Sequence, residues 1–122
     1  ISEGERMDYI ETQMFQKPLN YPNPFVESQG TVIAFSLNKP ANIALYLYDM
    51  VGNMFYSKSI TAGMEGARSG LNNIRLGPEI WIEQPLSAGV YFFLLMTDDT
   101  ILGRGKMAVI PESDTLNIIQ SN

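Results

Sequence analysis

"GTVIAFSLNKPANIALYLYD", residues 30–49, carries apolar side chains at every second position through two successive runs. Ile33, Phe35 and Leu37 fall on one face of an extended segment, and Ile43, Leu45 and Leu47 on one face of the next. Between them NKPA (38–41) supplies turn residues, with Pro40 fixing one φ angle, and predicts a hairpin. Two half-buried strands of this kind need a second layer to close over their apolar face.

The pattern continues toward the C-terminus. MVGN (50–53) predicts a tight turn in which Gly52 takes a positive φ and Asp49 accepts hydrogen bonds from backbone N–H groups. NMFYSKSIT (53–61) is predicted as a strand, AGMEGARSG (62–70) as a loop and LNNIRL (71–76) as a short strand. Pro78 and Pro85 exclude a long helix between them. SAGVYF (87–92) needs Gly89 for a sharp turn into a strand, with Tyr91 and Phe93 pointing into the core. VYFFLLMT (90–97) is apolar on both faces and is placed centrally in a sheet. DDT (98–100) makes a hairpin turn into the closing strand ILGRGKMAVI (101–110). Strands at roughly ten-residue spacing with turn signals between them predict an all-β, Ig-like antiparallel sandwich of about seven strands.

NYPNPF (20–25) interrupts this regularity. Pro22 and Pro24 bring no N–H that must be paired, and Asn20 and Asn23 are turn formers. The segment is a poor strand, so Tyr21 and Phe25 are expected to fold over an open end of the sandwich as a lid. The functional alternative is an exposed recognition loop. Residues 1–18 are expected to be a tether from a preceding domain, with a weakly alternating strand over 8–15. Residues 19–111 form the sandwich and residues 112–122 a tail. The chain opens on Ile1, which is read as the start of a piece cut from a longer polypeptide.

Composition narrows the function. Apolar residues make up 45% of the 122-residue chain, enough for one core, while charged residues are only 17%, which suits an extracellular β-protein. The net charge of −5 opposes nucleic-acid binding. No apolar run approaches the ~20 residues that span a bilayer. Histidine and cysteine are both absent, so no Ser–His dyad, thiolate or His-ligated metal can be built, and no cofactor is expected. Asp98 and Asp99 read as a hairpin tip, and Glu79 with Glu83 as an unsupported carboxylate pair. GRGK (103–106) lacks the spacing of a phosphate loop and is followed by Met107. The piece is read as no enzyme.

One face is anomalous. Tyr46 and Tyr48 lie opposite the core residues of their strand, and Phe92, Leu94 and Met96 lie opposite Tyr91, Phe93 and Leu95. If both strands share a sheet, its outer face carries an apolar patch, the usual mark of a contact with another domain or a second copy. The other reading is that the strand at 8–15, or the insertion around Trp81, lies over it.

The ordered set NYPNPF, IAFSL, IALYLYDMVGN, SGLNNIRL, LSAGVYFFLL and KMAVI resembles the type IX secretion sorting domain. That family ends many secreted proteins of Bacteroidetes and is similar in turn to the Ig-like domain of flagellar hook-capping proteins. The resemblance covers roughly residues 19–111. It implies a non-catalytic terminal module of a secreted or cell-surface protein, passing through the periplasm. Its partners would be a shuttle, translocon or sortase of the secretion machinery. It further implies a cleavage linker near residues 16–19 and a signal contributed by the last strand, GKMAVIP, with Lys106. The chain departs from the family pattern in running on through ESDTLNIIQSN, which is acidic rather than basic. That departure supports a second reading, a structural Ig-like domain retained against a neighbouring enzyme or adhesin domain. A carbohydrate-binding module, drawing on Trp81 and surface tyrosines, is the third.

Overall fold

A computed structural model describes residues 12, 14, 17–81 and 85–111. The strands are β1 (Leu19–Tyr21), β2 (Phe25–Val26), β3 (Thr31–Leu37), β4 (Ile43–Tyr48), β5 (Met54–Ile60), β6 (Gly70–Leu76), β7 (Gly89–Thr97) and β8 (Thr100–Ile110). Among the described residues one 3-10 turn spans Pro78–Ile80, with Pro78 at its start, where the missing N–H costs nothing. Among the described residues no helix is long and apolar enough to cross a membrane.

The strands form two sheets facing each other. The smaller has the order β1-β3-β6 and the larger β2-β8-β7-β4-β5. All pairings are antiparallel except that of β2 with β8. Strands β1 and β2 are two halves of one edge strand that starts on one sheet and finishes on the other, so the body has the seven strands of an Ig-like sandwich. The predicted inward set Ile33, Phe35, Leu37, Ile43, Leu45, Leu47, Tyr91, Phe93 and Leu95 is buried in a single cluster. Strand β7 lies between β4 and β8, as its two apolar faces require.

Two expectations are corrected. NKPA is not a hairpin turn, because β3 and β4 belong to different sheets and do not pair. Both strands aim their apolar alternation at one core, and periodicity cannot distinguish a neighbour in the sheet from a partner across it. NYPNPF is not wholly irregular: its ends pair as β1 with β3 and β2 with β8, and the prolines occupy the crossing. Both Tyr21–Pro22 and Asn23–Pro24 peptides are cis. Of the tether and the strand placed at 8–15, only residues 12, 14, 17 and 18 are described; Met14 bridges Leu37 on the edge of the smaller sheet. The tail 112–122 lies outside the described residues.

Candidate functional site

The crossing between sheets is held by amide side chains. Asn23 Nδ2 donates to the Lys106 carbonyl at 3.0 Å, and the Ala108 N–H donates to Asn23 Oδ1 at 2.9 Å. One side-chain amide thus acts as a strand rung on β8 just before β2 begins to pair. Asn20 Nδ2 donates to Thr31 Oγ1 at 2.8 Å and to the Val32 carbonyl at 3.2 Å. Thr31 Oγ1 in turn donates to the Pro22 carbonyl at 2.8 Å. Phe25 is buried against Trp81, with ring centroids 6.5 Å apart. Tyr21 is 72% exposed and forms no lid, because its register opposite Val32 points it to the outer face of the smaller sheet. Replacing Asn23 with alanine removes both bonds to β8 and should lower unfolding free energy by ~1–2 kcal/mol in urea titrations.

The other turns behave as the sequence indicates. Asp49 Oδ1 accepts the N–H groups of Val51 at 3.0 Å and Asn53 at 2.8 Å, and Gly52 has φ 91°. The Asn53 N–H bond is the chief cause that holds the Asp49 carboxyl below its ordinary 3.8. A carboxyl depressed by folding contributes stability that is complete above its unfolded value and is lost as pH falls through its folded value. The stability advantage of the parent over Asp49→Asn should therefore shrink on acidification below 3.8, with an NMR midpoint for Asp49 under that value. Gly89 has φ 148°, and two residues on, Tyr91 Oη donates to the Ser87 carbonyl at 2.7 Å. This is the tyrosine corner of Ig-like sandwiches. The Leu86 N–H donates to a Glu27 carboxylate oxygen, which ties the same loop to the end of β2.

The anomalous face is real. Strands β4 and β7 pair directly, with Tyr46 opposite Leu94, Tyr48 opposite Phe92 and Ala44 opposite Met96. Beyond β7, Leu94 stands opposite Arg104 and Phe92 opposite Lys106. Directly opposed residues share a face. Two rows therefore cross the outer face of the larger sheet, Tyr46–Leu94–Arg104 and Tyr48–Phe92–Lys106, each ending in a cation. Phe92 is 38% exposed, and Tyr46, Tyr48, Leu94 and Met96 are half-buried. Trp81 does not cover the rows: it is 3% exposed and packs inside the sandwich against Phe25 and Phe55. Its burial also removes it as a sugar-stacking surface.

This arrangement suits non-covalent recognition of an extended chain. The rings and aliphatic side chains offer area with little entropy to lose, and the cationic margin selects carboxylates. Sequence reading missed Arg104, counting from the hairpin across a bulge between Leu95 and Met96, although alternation back from the buried Met107 and Val109 places Arg104 and Lys106 on the outer side of β8. Among the described residues no group of three acidic side chains gathers as a metal site. Glu83, the partner imagined for Glu79, lies outside them.

No family model and no curated protein matches the chain. Solved structures that share its arrangement include the following two. One is an alkylpurine DNA glycosylase of Pseudomonas fluorescens bound to DNA containing an abasic site analogue, at 12% identity and a TM-score of 0.55. The match covers 85% of this chain but 32% of that one, so the chain spans about a third of the glycosylase. The other is an immunoglobulin-like protein of Pseudomonas aeruginosa, at 10% identity and a TM-score of 0.51, covering 83% of this chain and 98% of that one. At such identities the likeness concerns fold alone. The chain is an Ig-like antiparallel β-sandwich.

Proposed function

We propose that the chain is a non-catalytic Ig-like module of a larger secreted or cell-surface bacterial protein and serves as a type IX secretion sorting or anchoring domain. The observation that carries this reading is the bond pair from Asn23 to β8. It joins the first of the ordered motifs to the last, so the strand to which the resemblance gives the signal is held on a rigid body. The linker preceding Leu19 then remains the natural point of release. The partner is a shuttle, translocon or sortase component that grips the folded surface.

A second reading, a structural domain retained against a neighbouring enzyme or adhesin domain, is favoured by the aromatic face of β4 and β7. The two separate cleanly. A reporter fused ahead of the full 122-residue chain is expected to reach the medium or the outer surface of a type IX-competent host. Retention of the intact fusion in the periplasm would replace the first reading with the second.

A further inference from the structure

We infer that the outer face of the larger sheet is an intramolecular docking surface, and that its occupant is the chain's own acidic segment, residues 1–11. The inference holds whether or not the module is a sorting domain.

Charge distribution is the first argument. The described residues contain seven of the eight lysines and arginines but only six of the thirteen acids, a net charge of +1. The remainder, with one base and seven acids, carries −6. One of those seven acids, Glu83, lies within the sandwich span; the other six, with Arg6, give residues 1–11 and 112–122 together a charge of −5. Residues 1–11 hold Glu3, Glu5, Asp8 and Glu11 against Arg6 alone, interspersed with Met7, Tyr9 and Ile10. Such a segment complements two apolar rows that each end in a cation.

Position is the second. Met14, Lys17 and Pro18 share a surface hollow with Ile101, Gly103 and Arg104. The chain therefore emerges beside the very strand that carries the cationic margin. Eleven residues span up to ~36 Å when extended, whereas β8 to β4 is two strand spacings, ~10 Å. Reach is ample. A tethered segment also meets its site at an effective concentration on the order of millimolar, so weak contacts suffice. A free acidic partner or a second copy has no such advantage.

The absence of cysteine makes the test direct. A nitroxide on Gly4→Cys in the full-length chain is expected to broaden the amide signals of Tyr46, Tyr48, Phe92 and Leu94. The broadening should fade in ~1 M salt, where the screening length is about 3 Å, and in the Arg104→Glu, Lys106→Glu double variant. Both side chains are exposed, so that variant keeps the fold. Broadening that is absent, or that falls on Leu19, Tyr21 and Leu71 of the opposite sheet, overturns the inference. Broadening seen only when labelled and unlabelled copies are mixed overturns it in favour of a second copy. Broadening that survives both salt and charge reversal overturns the electrostatic basis.

Discussion

Phe25→Ala is expected to destabilise the sandwich by ~3–5 kcal/mol, while Tyr21→Ala, four residues away in the same motif, should stay within ~0.5 kcal/mol. The contrast follows from the crossing between sheets. Phe25 is 1% exposed, at the point where β2 joins β8, and its ring centroid lies 6.5 Å from that of the buried Trp81. Removing it opens a void that the paired backbone of β2 and the bonds from Asn23 to β8 hinder from closing. Tyr21 has no such neighbours and is 72% exposed. Equilibrium unfolding in urea measures both, and the slope with denaturant should be unchanged for Tyr21→Ala. Equal losses for the two variants would mean that the aromatic pair acts as the joint lid suggested by the sequence.

That pair shows where sequence reasoning reaches and where it stops. Alternation placed Ile33, Phe35, Leu37, Ile43, Leu45 and Leu47 in the core, because residues two apart in a strand share a face and these six are the bulky aliphatic and aromatic set of each. Local chemistry gave Asp49 and Gly52 their turn. What alternation could not carry was partnership: the same pattern serves a hairpin and a crossing between sheets, so NKPA was assigned to the wrong one. Tyr21 and Phe25 differ for a similar reason. Their fates depend on which strand each end of the motif joins, and that is settled by Val32 and Val109, far along the chain.

The candidate site was half legible. Tyr46, Tyr48, Phe92, Leu94 and Met96 could be assigned to outer faces strand by strand, but their union required β4 and β7 to be neighbours. Of the cationic margin, Lys106 was named only through the resemblance and Arg104 not at all. Without the slip between Leu95 and Met96, a simple register from Thr97 opposite Thr100 would aim Arg104 and Lys106 at the core. The bulge reverses this and turns Gly103 and Gly105 inward. The two glycines in GRGK are the trace of that reversal, since small residues are what the inner side of β8 can hold there.

Gly105→Val tests this directly and should be the second most damaging change, at ~1–3 kcal/mol or more. A Cβ at Gly105 would lie 2.5 Å from Cε2 and 2.6 Å from Cζ of Phe93, a ring only 2% exposed and hemmed in by the core. Replacing glycine within a strand ordinarily gains ~0.5–1 kcal/mol, so the close approach must outweigh an opposing benefit to give a net loss. Gly103 differs in degree: the nearest atom to its Cβ is the terminal methyl of Met14, the far end of a flexible side chain, and the less yielding ring carbons of Pro18 stand further off at 2.9 and 3.1 Å. The corresponding Gly103→Ala should be milder. Combining Gly105→Val with Phe93→Leu removes the outer ring atoms, and the pair should couple by ~0.5–3 kcal/mol. Strict additivity would show that β8 yields without touching Phe93. The same variant also reads on the outer face, because a β8 pushed away from β7 carries Arg104 and Lys106 out of line with Leu94 and Phe92. A segment held by those two cations should then loosen in step with the lost stability.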